Sequence, residues 1–271
     1  MSLTIADIID TARYAILDPG SSARAELVAR CRDELKTQQY CTIPGLVTAE
    51  ALGVMAAEAE RLQPDAYHNN ALRNCYLHME TEPSLPATHP RNLQDRSSCR
   101  MLAYDQVDGN SPLKTFYHSP LVRDLVAEIV DEGALYDNED PYQPANYVCY
   151  RTGDESSWHF DADNSFTMTL MVQPATAGGV FEMSPNTRTD DDENYEHVAG
   201  VLGGRADDSI ISVGREAGAL CIFKGCNSLH RVSPVEGEGL RIMGVFVYEF
   251  SPGVLGDPAV NATIYGKRVA G

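Results

Sequence analysis

Positive charge is scarce in this 271-residue chain: 21 Lys and Arg stand against 39 Asp and Glu, a net charge of −18. A surface so acidic repels nucleic acid and anionic lipid, and also serves ordinary solubility. Long apolar runs are missing too. No stretch of about 18 apolar residues occurs, so no membrane-crossing helix is expected. The N-terminal MSLTIADIIDTARY lacks the basic start and apolar stretch of a secretory signal, and a cytoplasmic location follows as the expectation. There is no C-x-x-C. The seven cysteines (Cys31, Cys41, Cys75, Cys99, Cys149, Cys221 and Cys226) are odd in number and scattered, as free thiols in a reducing compartment would be. H-E-x-x-H is absent, and so is the spacing of a calcium loop; the acidic run Asp190–Glu193 reads as a solvated loop. No internal repeat and no Pro/Ser linker divides the chain. One domain over 1–271 is the economical reading, with a helical and lid part over 1–140 and a β core over 141–255.

What is present changes character midway. Residues 22–36 carry Ala23, Leu27, Val28, Cys31 and Leu35, one apolar helical face. QQYCTIPGLV reads as a short strand ending at Pro44-Gly45. A second helix follows over TAEALGVMAAEAERL, with Thr48 as N-cap. Residues 63–97 show no period and are rich in Asn, Pro, His and Arg, which suggests a lid or substrate loop. A helical pair spans 111–131, with Pro120 opening its second member. From about 144 onward β-type runs succeed one another: NYVCYR, SFTMTLMVQ, GGVFEM, SIISV, GALCIF, LHRVSP and LRIMGVFVYEF. Short strands with turn signals between them indicate a sandwich or barrel.

The segment WHFDADNSF, residues 158–166, carries a His-x-Asp triplet. On a strand, side chains at i and i+2 share a face, so His159 and Asp161 can hold one ion while Phe160 points the other way. Only one other histidine of the C-terminal half, His230, lies in a β-type segment. A strand, a loop and a strand would return it toward His159. Two imidazoles and a carboxylate form a facial set with open positions, which suits non-heme Fe(II) better than zinc. An open iron site needs a co-substrate to deliver electrons. For 2-oxoglutarate, the far carboxylate would call for a buried cation, and arginine meets a carboxylate with two parallel hydrogen bonds. Arg241 lies in an apolar run, in alternation with Met243, Val245 and Val247. It is either that cation or an arginine at a solvated strand edge.

Taken in order, these segments resemble the iron(II)/2-oxoglutarate-dependent dioxygenases. The resemblance rests on Tyr150-Arg-Thr-Gly153, His159-Phe160-Asp161, Gly178-Gly179-Val-Phe-Glu182, Gly218-Ala-Leu-Cys-Ile-Phe223, His230-Arg-Val-Ser-Pro-Val235 and Gly239-Leu-Arg241, and covers about 145–250. It implies a mainly β fold with N-terminal helices: a double-stranded β-helix (jelly-roll) core flanked by α-helices. It implies Fe(II) held by His159, Asp161 and His230, with 2-oxoglutarate and O2 as co-substrates and Arg241 as the 2-oxoglutarate clamp. A Thr, Tyr or Asn helper for the same carboxylate is also implied. Thr169 and Asn146 are the candidates by strand position, with an ordinary polar core role as the alternative for each. The implied chemistry is oxidative decarboxylation of 2-oxoglutarate to succinate and CO2, coupled to attack on an unactivated C–H. In the halogenating branch glycine or alanine replaces the carboxylate, so Asp161 favours hydroxylation.

The expected partner is a small-molecule substrate, with no nucleic acid and no membrane; the oligomeric state stays open. The short domain and helical N-terminal third resemble enzymes acting on free amino acids. Such a substrate needs a cation for its carboxylate. Arg96 is favoured and Arg100 is second, unless both only balance Asp95 and Asp105. Tyr142, Asp163 or Glu249 could meet an amine. Trp158 either walls the substrate pocket or belongs to the core. Two other functions remain open: tailoring of a larger natural product, and a jelly-roll that binds or senses without catalysis. The retained iron ligands and Arg241 speak against the last.

Overall fold

A computed structural model describes residues 2–162, 166–205 and 208–269. After the short α1 (Ile5–Ile8), α2 (Ser22–Gln38) starts at Ser21, whose side chain accepts from the Arg24 amide. Its buried face is Arg24, Val28, Cys31 and Leu35, and it stops where Gln39 turns left-handed. β1 (Tyr40–Ile43) leads to α3 (Ala49–Leu62), and the Thr48 side chain caps α3 by accepting from the Ala51 amide, as the sequence predicts.

The expectation for 63–97 needs correction. Two strands bound this stretch, β2 (Tyr67–Arg73) and β3 (Asp95–Leu102), and they pair antiparallel from Tyr67↔Met101 to Arg73↔Asp95. β2 is an edge strand whose side chains are exposed or half-buried throughout. Main-chain bonds hold it, so no apolar alternation marks it in the sequence. Only the part between these strands is irregular.

The helical pair is α4 (Pro112–Tyr117) and α5 (Pro120–Val130). There follow β4 (Tyr136–Asp137), β5 (Ala145–Tyr150), β6 (Ser156–His159), β7 (Thr167–Gln173) and β8 (Phe181–Ser184). Next come α6 (Tyr195–Leu202), β9 (Ile211–Ser212), β10 (Leu220–Phe223), β11 (Leu229–Val232), β12 (Arg241–Phe246), β13 (Tyr248–Glu249) and α7 (Pro258–Tyr265). Each β-type run read from the sequence contains a strand; α6 and α7 are additions that the sequence pattern does not announce.

Among the described residues the large sheet runs β1-β10-β7-β12-β5-β3-β2 and the small one β6-β11-β8-β9. The fold is a double-stranded β-helix with α2–α5 behind the large sheet and α6 against the small one. Strand alternation divides its core. Tyr147, Cys149, Leu220, Ile222, Ile242 and Phe246 face α2–α5, whereas Val148, Tyr150, Cys221, Phe223, Phe181 and Val232 meet between the sheets. α4 comes close because Gly244 of β12 has no side chain: a Cβ there would lie 2.8 Å from Leu113 Cδ1. No helix among the described residues is long and apolar enough to cross a membrane.

A buried carboxylate ties helices to sheet. Glu58 of α3 accepts from Tyr147 Oη at 2.8 Å, from Ser111 Oγ at 2.5 Å and from the Asp108 amide at 3.1 Å. A hydrogen bond to a charged group contributes about 1.5–3 kcal/mol. Tyr147→Phe is therefore expected to lower unfolding free energy by about that amount in urea titration, at unchanged m-value.

Candidate metal centre and co-substrate pocket

β6 and β11 are neighbours in the small sheet, and their register sets His159 directly opposite His230. The ring centroids are 4.3 Å apart. Each ring is turned by its own strand: His159 Nδ1 lies 2.7 Å from the Ser157 carbonyl, and His230 Nδ1 lies 2.9 Å from the Ser228 carbonyl. A carbonyl only accepts, so both Nδ1 atoms carry the proton and both Nε2 lone pairs are free. The two Nε2 atoms converge on Asp161 Oδ1, at 3.7 Å from His159 and 3.4 Å from His230. Among the described residues these three form a cluster whose ligand atoms all lie within 4.8 Å of one another.

Asp161 stands past the end of β6 and is held from outside it. Its amide donates to the Gly225 carbonyl at 3.1 Å, and its Oδ2 accepts from Thr167 Oγ1. Gly225 makes room: a Cβ there would fall 2.0 Å from Oδ2. Burial alone would raise the Asp161 carboxyl, but His230, His159 and the Thr167 bond outweigh it and hold it well below the carboxylate range. Burial, then the neighbouring His230, push His159 down to about 4, so its ring is neutral at pH 7. Two imidazoles and one carboxylate on one side of a point are a donor set that fits Fe(II) and leaves positions open.

Arg241 is 1% exposed, on the inner face of β12. Its Nε donates to the Gly179 carbonyl at 3.0 Å and its guanidinium lies 5.1 Å from the Tyr150 ring centroid. Nη1 and Nη2 are buried without a partner among the described residues. Two aligned donors left unpaired in the interior fit a carboxylate guest. The alternative of a solvated strand edge does not hold.

The other expected residues divide. Thr169 shares the inner face of β7 with Thr167, and its Oγ1 accepts from Arg215 Nη1 at 3.0 Å. Asn146 is also buried, but its Nδ2 bonds the Gln143 carbonyl and Tyr265 Oη, each at 3.2 Å. It pairs with Val245 in the ladder where Arg241 pairs with Tyr150, four residues or about 13 Å along the strand. Asn146 therefore does not share the Arg241 pocket. Arg96 points away from the triad: its neighbour Ser97 faces Ser157 at 2.8 Å, and Arg96 reaches Asn70 and the Gly153 carbonyl on the opposite face. Arg100 pairs with Asp154, and Glu249 accepts from Asn138. Trp158 alternates with His159 and packs with Phe160, Cys75, Val198 and Leu229, under the Arg231 guanidinium. It is a core residue on the far side of β6. Asp163 lies outside the described residues.

Four residues escape a reading of the sequence. Thr167 and Gly225 seat the carboxylate, and Thr167 could be found as the inward residue two before Thr169. Arg215 and Arg73 carry no pattern. Arg73, at the end of β2, donates from Nη2 to Asn69 Oδ1 at 3.1 Å, while its Nε is buried without a partner among the described residues. It is close enough for its charge to depress the His159 pKa.

Fold and site together define an iron(II)/2-oxoglutarate-dependent oxygenase, with Fe(II) as the metal and 2-oxoglutarate and O2 as co-substrates. More narrowly, the sequence profile of the Halogenase D family matches residues 23–254, and the chain belongs to that family. No curated protein sequence matches it significantly. Among solved structures, the epimerase SnoN in complex with Fe3+, alpha ketoglutarate and nogalamycin RO is similar at 12% identity and a TM-score of 0.58, covering 86% of this chain and 93% of SnoN. A 2OG-Fe(II) oxygenase family oxidoreductase from Burkholderia pseudomallei gives 12% and 0.54, covering 88% and 94%. A Pseudomonas putida prolyl-4-hydroxylase gives 17% and 0.50, covering 81% and 98%. At these identities the likeness is one of fold.

His159→Ala and His230→Ala are each expected to abolish Fe(II) binding by anaerobic equilibrium dialysis. Gly225→Ala, which touches no metal, is expected to weaken Fe(II) by about 10–100-fold by displacing Asp161. Unchanged affinity would show that the carboxylate does not ligate.

Proposed function

We propose that the protein hydroxylates an unactivated C–H of a small metabolite, a free amino acid in first place, releasing succinate and CO2. The seating of Asp161 carries this reading. Its Oδ1 faces the two Nε2 atoms, Thr167 holds Oδ2, and Gly225 is cut back to admit it. Halogenation in this class uses the place that glycine or alanine leaves open for halide, and here a fitted carboxylate fills that place.

When bound, iron with 2-oxoglutarate and O2 supplies the oxidant that attacks the C–H. The chain's residues do the remaining work. His159, Asp161 and His230 hold the metal from one side. Arg241 fixes the far carboxylate of 2-oxoglutarate. Phe181 and Phe223, at 5.7 and 5.1 Å from the His230 ring, pack behind it and exclude water. For the substrate, Arg73 takes the role expected of Arg96: its Nε is buried without a partner among the described residues, and two residues on, the Cys75 carbonyl accepts from the Phe160 amide beside His159 at 2.8 Å, which suits a substrate carboxylate near the metal.

A panel of free amino acids screened for stimulated succinate formation tests this, with product masses taken in chloride-containing buffer. One or more is expected to gain one oxygen and no chlorine; a chlorinated product would sink the hydroxylase assignment. Arg73→Ala is expected to raise the substrate KM by about 10–100-fold while the 2-oxoglutarate KM stays put. A second reading, tailoring of a larger natural product, draws support from the nogalamycin ligand of SnoN. Silence across the whole amino-acid panel, with an intact 2-oxoglutarate response, would favour it.

A further inference from the structure

Arg215 lies in the connection between β9 and β10, and its side chain runs inward between the sheets. Nη1 donates to Thr169 Oγ1 at 3.0 Å, Nη2 lies 3.4 Å from Cys221 Sγ, and the guanidinium carbon sits 3.6 Å from the Phe181 ring centroid. Nε is buried without a partner, and Arg215 has no ion pair among the described residues. Arg241 shares the same cavity of about 270 Å³, with Phe181, Gly179 and Met171 in its wall. Two guanidiniums thus stand in one interior, and neither has an ion pair among the described residues. Burial lowers the pKa of both, and brings Arg241 to about 10, with Arg215's charge adding to the effect. Buried charges persist only when paired, so this arrangement is complete only with a dianion.

We propose that Arg215 is a second anchor of the dicarboxylate co-substrate, taking the carboxylate at its keto-acid end while Arg241 takes the far one. The surroundings set this order. The rings beneath Arg215, Phe181 and Phe223, both pack on His230. Thr169, which holds Arg215, is two residues along β7 from Thr167, which holds Asp161. The partners of Arg241 are Tyr150 and the Gly179 carbonyl, and neither holds a triad residue. Arg215 therefore lies on the metal side of Arg241. Thr169 becomes a positioning residue that acts through Arg215 rather than on the co-substrate itself.

This inference rests on 2-oxoglutarate being the co-substrate, so the parent protein is measured first. Binding is read as the melting shift of Zn(II)-loaded protein and as the anaerobic Fe(II) charge-transfer band. No response of the parent to 2-oxoglutarate would overturn the co-substrate reading itself. With a responsive parent, Arg215→Gln is expected to weaken both 2-oxoglutarate and pyruvate, a keto acid without the far carboxylate, by about 10–100-fold. Arg241→Gln weakens 2-oxoglutarate alone. Free of ligand, Arg215→Gln melts above the parent, because an unpaired buried charge is gone. Thr169→Val weakens binding less and adds nothing in the Arg215→Gln background. Binding of 2-oxoglutarate by Arg215→Gln within about twofold of the parent overturns the proposal; so does loss of 2-oxoglutarate with pyruvate unchanged. Should Arg215→Gln not fold, Arg215→Lys keeps the charge but not the fork, and parent-like pyruvate binding by it is equally fatal.

Discussion

One antiparallel register, His159 opposite His230, organises this molecule. It fixes two imidazoles across adjacent strands, and the strands themselves turn the rings: each Nδ1 bonds the carbonyl two residues upstream on its own chain. Residues i and i−2 lie on the same side of a strand, so the bond that sets the tautomer is local. Nothing distant is needed to aim either Nε2. The third group differs. Asp161 has left the ladder, and its position depends on Gly225 in the turn before β11 and on Thr167 at the start of β7. The small sheet supplies two members of the triad by itself. The third is placed only when the large sheet packs against it.

That dependence links the cluster of His159, Asp161 and His230 to the cavity that Arg241 and Arg215 line. Thr167 and Thr169 stand on one face of β7, the first bonded to Asp161 and the second to Arg215. Arg241 enters the same interior from the adjacent β12. The interior is apolar in bulk, with Val148, Tyr150, Phe181, Phe223 and Val232, yet it carries two guanidiniums. An apolar setting makes each hydrogen bond to a guest stronger and each unpaired charge more costly. The helices behind the large sheet make this tolerable, for they supply the extensive core that carries the fold while the space between the sheets is left to chemistry.

Features that depend on strand periodicity and order are legible in the sequence. Each C-terminal strand can be read there, and so can the set of His159, Asp161, His230 and Arg241, because their types are rare in β-type runs and their order is distinctive. Features that depend on register cannot. Trp158 adjoins His159 in sequence and Arg96 is a cation in a β-type segment, but each falls on the wrong face of its strand, a single-residue matter that only pairing decides. Asn146 lies on an inward face but four residues along the strand from Arg241. The hairpin of β2 and β3 is hidden because an edge strand held by main-chain bonds shows no apolar alternation. Arg73 is hidden with it. Arg215 sits in a connection, where no period says whether a side chain turns in or out.

Membership in the Halogenase D family does not decide the fate of the attacked carbon, because the chemistry turns on one side chain. In this chain Asp161 is not an isolated carboxylate that glycine could replace without consequence. Thr167 commits its hydroxyl to Oδ2, and Gly225 lacks the Cβ that would collide with it. Both adaptations are to the carboxylate rather than to the metal. Thr167 keeps Oδ2 occupied, so Oδ1, which faces the two Nε2 atoms, is the oxygen that would meet an ion. A halide site in the same place would have to satisfy the Thr167 hydroxyl and fill the space beside Gly225 with a spherical anion. The local structure is thus fitted to a carboxylate at two points, the Thr167 hydroxyl and the space beside Gly225, and a glycine or alanine at 161 would leave both without their partner.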